Sequence, residues 1–147
     1  MPRRTVLVCD DDPVIVNLLQ VNFEIEGFDV IPATGGEAGL AQARHAHPDV
    51  IVMDVMMPGI DGLEVSRRLR ADTATRDIPI ILLSAKAQAS DVQAGLEVAD
   101  DYVTKPFEPL DLLERVEAAL ARRGGAGRGD LRRSDAAAGG GPIPENS

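Results

Sequence analysis

The sequence has little of what would indicate an extracellular, membrane or nucleic-acid-binding protein. Its 147 residues include one cysteine, Cys9, so no disulfide can form within the chain, and a reducing cytoplasmic compartment is expected. No apolar run approaches the roughly 20 residues that a membrane helix needs, and the start of the chain lacks a signal-peptide pattern. The net charge of −9 argues against nucleic acid as a main ligand. It favours a divalent cation or a partner with a basic surface.

Composition changes near the end of the chain. Residues 124–147 contain seven glycines and two prolines but no aromatic residue, and their charges cancel. Such a segment buries too little surface to offset its ordering entropy, so residues 123–147 are predicted to be a disordered Gly/Ala-rich tail. Residues 4–122 are then one folded domain, which is long enough to build a core without disulfides.

Short apolar runs alternate with stretches of helical period along this domain. Strands are predicted at 6–9, 28–31, 49–53, 78–84 and 102–103, and helices start near residues 12, 34, 62, 88 and 108. Asp12 is predicted to cap the first helix. The face of this helix that is predicted to point inward consists of Val14, Ile15, Leu18, Leu19 and Phe23. Because the strands are continuously apolar, we expect a doubly wound parallel sheet covered by helices on both faces.

Charged and polar residues follow four of the predicted strands directly. Asp10 and Asp11 come after the first strand, Asp54 follows the third, Ser84 ends the fourth and Lys105 follows the fifth. Ligands of such sheets lie beyond the carboxyl ends of the strands. Because neighbouring strands are about 5 Å apart, the carboxylates that follow them should lie close together. Crowded carboxylates need compensation, which Mg²⁺ and a lysine supply. A carboxylate in that setting is equipped to accept a phosphoryl group.

Four motifs, in this order and nearly in this spacing, make the chain resemble the receiver domain of two-component response regulators. They are "VLVCDDDP", "VIVMDVMMPGIDG", "IILLSA" and "DYVTKPF", and the resemblance covers about residues 4–122. It implies an α/β, flavodoxin-like (chemotaxis-receiver-like) doubly wound sheet of five parallel strands in the order 2-1-3-4-5, with five helices.

The resemblance also implies roles for the residues at the strand ends. Asp54 would be the phosphoacceptor, and Ser84 and Lys105 would hold the phosphoryl oxygens. Mg²⁺ would lie at the acid pair Asp10 and Asp11 together with Asp54. The backbone carbonyl of Met56 would be a further ligand.

A switch is implied at the fifth strand. Tyr102 matches the aromatic position that turns inward when the hydroxyl of Ser84 moves toward the phosphate, and the Lys105–Pro106 peptide would be cis. One departure is visible: "GLEVADDY" is one residue shorter than the usual loop before this strand. The shape of the neighbouring output surface is therefore open.

The function implied is that of a single-domain response regulator, phosphorylated by a sensor histidine kinase, a phosphotransfer protein or a small acyl phosphate. It would not be an enzyme beyond its own phosphorylation and autodephosphorylation. It would be cytoplasmic, without a DNA-binding domain or membrane partner. Its signal would pass to a protein target through the face formed by residues 88–122.

Two other interpretations remain. "VLVCDDDPV" also resembles the first motif of haloacid-dehalogenase-type phosphatases, in which Asp10 would be the nucleophile and Asp12 the general acid. That interpretation leaves Asp54 and the Lys105–Pro106 pair unexplained. In the other, the chain has the receiver fold but takes no phosphate and acts only as a docking module.

Overall fold

A computed structural model describes residues 3–127, with side chains for residues 3–122. Within that part the chain alternates five strands with five helices. The strands are β1 (Thr5–Cys9), β2 (Asp29–Ala33), β3 (Val50–Asp54), β4 (Ile80–Ser84) and β5 (Asp101–Thr104); the helices are α1 (Pro13–Ile25), α2 (Gly36–Ala46), α3 (Gly62–Ala71), α4 (Ala89–Leu96) and α5 (Pro109–Gly127). Each predicted element is present, with ends shifted by a few residues.

The sheet has the predicted topology. All neighbouring strands are parallel, and the order is β2-β1-β3-β4-β5. The order reverses at β1, whose two neighbours are β2 and β3, so the crevice for ligands lies where β1 and β3 end. The register pairs Cys9 with Met53 and Ser84 with Thr104, which brings the ends of these strands to one edge.

The core lies on both faces of the three central strands. Every residue of β3 and β4 is buried, as is β1 from Val6 onward. A strand that is apolar on both faces cannot face water on either, and the helices cover it. The prediction of a two-sided, helix-covered sheet is therefore confirmed.

Helix α1 buries a different face from the predicted one. Asp12 caps it as expected, accepting a hydrogen bond from the Val14 backbone N–H, and Pro13 is its first residue. The buried side chains are Val16, Leu19 and Phe23. The prediction was wrong for Val14 and Leu18, whose exposed fractions are 72% and 40%. Because α1 is apolar nearly all round, periodicity alone does not select the face that packs on the sheet.

The end of the described chain differs from the predicted boundary. Contacts divide the chain into two units, residues 1–116 and 117–147; the first contains the sheet and α1 to α4. Of the second, the structure describes residues 117–127, where α5 continues to Gly127, five residues past its predicted end at 122. The rest of the predicted tail lies outside the described residues. The division into a domain at 4–122 and a tail at 123–147 stays a prediction.

The loop between α4 and β5 is held by an arginine of α3. Arg70 donates through Nε to the carbonyl of Val98 at 2.9 Å and through Nη2 to the carboxylate of Asp100 at 2.7 Å. Asp100 also pairs with β4, since its backbone N–H donates to the carbonyl of Ile80 and its carboxylate accepts from the N–H of that residue. The loop is thereby tied to both α3 and the sheet.

Candidate functional site

Three carboxylates converge beyond β1 and β3. Asp10 and Asp11 follow β1, and Asp54 is the last residue of β3. One oxygen from each lies within 4.8 Å of the others, and Asp10 and Asp54 are almost fully buried whereas Asp11 is exposed. Three like charges this close repel strongly unless a cation joins them. The all-oxygen donor set, open to water at Asp11, fits a hard divalent cation such as Mg²⁺.

Lys105 provides the positive charge in the site. Its Nζ donates to Asp10 Oδ2 at 3.1 Å and lies 3.4 Å from Asp54 Oδ1. Partial burial of the ammonium alone would lower its pKa, but the hydrogen bond and charge of Asp10, with the charge of Asp54, outweigh burial and raise the pKa above its ordinary value. Lys105 is therefore a fixed cation shared by two carboxylates. The Lys105–Pro106 peptide that follows it is cis, as predicted.

Asp54 is the carboxylate whose ionisation is most perturbed. Burial, together with the charge of Asp10, raises its pKa from 3.8 to about 6, although Lys105 and a hydrogen bond from the Met56 backbone N–H oppose the shift. At neutral pH the group is still mostly ionised, and it is poorly solvated. An ionised carboxylate of raised pKa is basic and has lone pairs that it can donate, as a nucleophile requires.

Ser84 and Tyr102 are connected through one short loop. Ser84, at the end of β4, is buried, and its Oγ accepts a hydrogen bond from the Lys86 backbone N–H at 3.0 Å. The hydroxyl of Tyr102 donates to the Lys86 carbonyl at 2.8 Å, and the tyrosine is 8% exposed. A movement of the Ser84 hydroxyl would disturb the same peptide segment that anchors the Tyr102 ring.

Two glycines let the backbone and the ring approach closely, and neither was singled out for this from the sequence. A Cβ on Gly62 would lie 2.9 Å from the backbone carbonyl carbon of Asp54. A Cβ on Gly95, in α4, would lie 2.8 Å from Cε2 of Tyr102. A glycine at a helix start or inside a helix was the only signal in the sequence, and such a glycine does not identify its neighbour.

The predicted site residues form two connected groups in the structure. The structure brings Asp10, Asp11, Asp54 and Lys105 together, and it connects Ser84 to Tyr102 through Lys86. Met56 contributes a backbone N–H to Asp54, and its side chain is 51% exposed. Its predicted role as a carbonyl ligand stays a prediction, as do the chemical roles of the other residues.

Comparison with known proteins decides the family. The family model described as the response regulator receiver domain matches residues 6–117. The chain belongs to this family. The interpretation as a haloacid-dehalogenase-type phosphatase, with Asp10 as nucleophile, is thereby wrong as a family assignment. The receiver fold and the membership of two-component response regulators are confirmed.

Solved receiver structures resemble this receiver along most of its length. The Francisella response regulator 1452 receiver domain is 37% identical with a TM-score of 0.76, and the alignment covers 81% of this chain and 98% of that one. The Vibrio cholerae chemotaxis protein CheY4 is 30% identical with a TM-score of 0.76, covering 80% of this chain and 99% of that one.

The curated relatives are longer regulators of transcription. The DNA-binding dual master transcriptional regulator RpaA of Synechocystis is 46% identical, over 83% of this chain and 50% of that protein. The alkaline phosphatase synthesis transcriptional regulatory protein PhoP of Bacillus subtilis is 47% identical, over 82% of this chain and 50% of that protein. This receiver thus spans about half the length of such relatives. Their names are those of regulators rather than of enzymes.

This finding corrects the predicted partners. The expectation of a partner set without a DNA-binding domain is wrong, because relatives that match are DNA-binding regulators and this chain corresponds to about half of them. The expectation rested on finding only a Gly/Ala-rich segment after residue 122, and the end of a given sequence carries no information about an output domain. On membranes, no helix among residues 3–127 combines the length and apolar character needed to cross one.

Proposed function

We propose that this receiver accepts a phosphoryl group on Asp54 in a Mg²⁺-dependent reaction. The donor is the phosphohistidine of a sensor histidine kinase, or a small acyl phosphate. The observation that carries the proposal is the position of Lys105, whose Nζ lies 3.1 Å from Asp10 and 3.4 Å from Asp54. An ammonium shared by two buried carboxylates is placed to bind added negative charge. The three oxygens of a phosphoryl group carry such charge.

The transfer needs little beyond positioning. An oxygen of Asp54 forms the new bond to phosphorus while the bond from phosphorus to the donor atom breaks. A phosphohistidine that is protonated on its other ring nitrogen leaves as neutral imidazole, and an acyl phosphate leaves as a carboxylate. Lys105 then contacts one negatively charged phosphoryl oxygen, and the Ser84 hydroxyl donates to another.

Mg²⁺ would be held by Asp11 and Asp54, with Asp10 of the acid pair beside them and the Met56 carbonyl as a further ligand. The cluster of carboxylate oxygens within 4.8 Å supports this assignment. When bound, the ion neutralises the carboxylates and the phosphoryl oxygens, so that the anionic donor can approach.

The signal would leave the site through Ser84 and Tyr102. Phosphorylation draws the Ser84 hydroxyl toward the phosphoryl oxygens and biases the tyrosine ring toward its inward position. It shifts an existing equilibrium by its differential stabilisation of the two states. Since the relatives are named as transcriptional regulators, we assign the output to control of transcription.

Intact-mass spectrometry after incubation with acetyl phosphate, with and without Mg²⁺, tests the proposal. We expect one phosphoryl group per chain only with Mg²⁺, mapped to Asp54, and none in Asp54→Asn. The matched control is Asp12→Asn, which removes a neighbouring charge but keeps a residue that caps helices well. Labelling of Asp54→Asn, or an adduct on Asp10, would overturn the assignment.

A further inference from the structure

A cavity of about 440 Å³ opens next to the acid cluster but is built from other side chains. It lies between the loop after β3 and the first turns of α4. Its apolar wall consists of Val55, Met57, Leu63, Ala94 and the ring of Tyr102. This volume is within the range of small-molecule sites, which combine apolar walls with a few polar groups.

The wall is held in place by hydrogen bonds and packing within the protein. Val55 and Met57 are 6% and 7% exposed, and the backbone N–H of Val55 donates to the carbonyl of Leu83 in β4. The Tyr102 ring is anchored by its hydroxyl on the Lys86 carbonyl, and it packs against Gly95, where α4 has no side chain. A preformed wall lowers the ordering cost of binding.

The charged groups at this cavity select the sign of a ligand. Asp61 and Asp91 line it, against one cation, Lys86. Asp61 is the N-cap of α3, where it accepts a hydrogen bond from the Glu64 N–H, and Asp91 lies in the first turn of α4. The lining therefore carries a net negative charge beside an apolar wall.

We propose that this cavity binds a small organic cation, an alkylammonium or alkylguanidinium. Its short aliphatic part lies against Met57, Leu63 and the Tyr102 ring, and its charged end lies at Asp91 and Asp61. An ammonium on an apolar stem satisfies both the carboxylates and the wall, whereas a carboxylate or an uncharged chain satisfies only one of them. This site takes no side chain from the carboxylate cluster of Asp10, Asp11 and Asp54.

Titration of methyl-¹³C-methionine protein with butylammonium chloride, followed by NMR, tests the proposal. The chain has four methionines, of which Met56 and Met57 line the cavity and Met53 does not, so Met53 is an internal control. We expect saturable shifts at Met56 and Met57 and a much smaller effect at Met53. Sodium butyrate and butanol should cause shifts that are weaker and do not saturate over the same concentrations.

Matched variants identify the carboxylate that contacts the ligand. Asp91→Asn should raise the half-saturating butylammonium concentration about threefold to fivefold, the range of a partly exposed ion pair. Glu97→Gln, the control, removes an exposed charge just past the end of α4 and should change it little. Asp11→Asn should also change it little. A strong loss in Asp11→Asn would place the amine at the acid cluster and overturn the proposal, as would equal binding of butanol or the absence of saturation.

Discussion

At the scale of single residues, Asp54 is held in the folded protein at a cost. Its carboxylate is 4% exposed and shares one ammonium with Asp10. We therefore expect Asp54→Asn to raise the free energy of unfolding by about 1–3 kcal/mol at neutral pH without divalent cations, because the amide keeps the shape and removes the repulsion. Urea unfolding of both proteins in a chelating buffer measures the difference.

The pH dependence of that difference follows from the sign of the shift. The pKa of Asp54 is raised from 3.8 to about 6, so the folded state binds this proton more tightly than the unfolded state does. The penalty for ionising Asp54 is complete above about pH 6 and absent below about pH 4. The gain from Asp54→Asn should therefore shrink as the pH falls through this window. A gain that is constant with pH would mean that repulsion is not its cause.

Much of the candidate site could be predicted because of where parallel strands end. Asp10, Asp54, Ser84 and Lys105 each end or directly follow a strand, and parallel strands bring their carboxyl ends to one edge of the sheet. Position in the sequence does not determine which oxygens an ammonium reaches. The sharing of Lys105 by two carboxylates, and the close approach of Gly95 to Tyr102, depend on tertiary packing and had to come from the structure.

At the scale of elements, α4 depends on a glycine in its interior. Alanine usually stabilises a helix by about 1 kcal/mol relative to glycine. At Gly95 the added Cβ would lie 2.8 Å from Tyr102 Cε2 and 3.2 Å from Leu82 Cδ1. We therefore expect Gly95→Ala to destabilise the domain by about 1–3 kcal/mol or to move the ring outward. The chain has one tyrosine and no tryptophan, so intrinsic fluorescence reports on this ring alone.

Acrylamide quenching of that fluorescence separates the two outcomes, since an outward ring is quenched more strongly. Gly35→Ala is the control, because a Cβ there meets nothing within 4 Å. It should leave quenching unchanged. A Gly95→Ala protein that is more stable than the original and equally protected from quenching would contradict the expectation.

The loop between α4 and β5 depends on one side chain of α3. Besides Val98 and Asp100, Arg70 donates to the carbonyls of Arg76 and Ile78, each at 2.7 Å. Arg70→Met should lower the free energy of unfolding by about 2–3 kcal/mol, since it leaves a half-buried carboxylate and several carbonyls without this donor. Arg70→Lys should recover little, because an ammonium cannot replace the planar fork.

The control for that series is Arg67→Met on the same helix. Arg67 is exposed and pairs with Glu64 at 3.4 Å, a contact of the kind that contributes little. Equal losses in Arg67→Met and Arg70→Met, measured by thermal unfolding, would show that helix propensity rather than the loop contacts causes the effect.

The helices and strands also show how far hydrophobic periodicity can predict this structure. The presence, type and order of all ten elements followed from apolar runs and helix-start residues. The buried face of α1 did not follow, because Val14 and Leu18 are as apolar as Leu19 and Phe23. A helix that is apolar on several sides is oriented by the volume that the sheet leaves free. Hydrophobic spacing within the helix does not contain that information.

At the scale of the whole molecule, the net charge of −9 makes any cation stabilising to some extent. A specific site adds to this general screening by mass action. At a Mg²⁺ concentration tenfold above its dissociation constant, binding to the folded state alone adds about 1.4 kcal/mol, or several degrees in Tm for a domain of this size. We expect this rise on adding MgCl₂ at constant ionic strength, measured by calorimetry.

The variant Asp11→Asn distinguishes the site from the overall charge. Asp11 is exposed, so the substitution should be tolerated, yet it removes one of the three clustered carboxylates. Glu37→Gln removes an equal charge from an exposed position in the first turn of α2. If the Mg²⁺ effect belongs to the cluster, Asp11→Asn loses most of the rise in Tm and Glu37→Gln keeps it. An equal reduction in both would mean that the ion only screens an acidic surface, and the metal assignment would then be wrong.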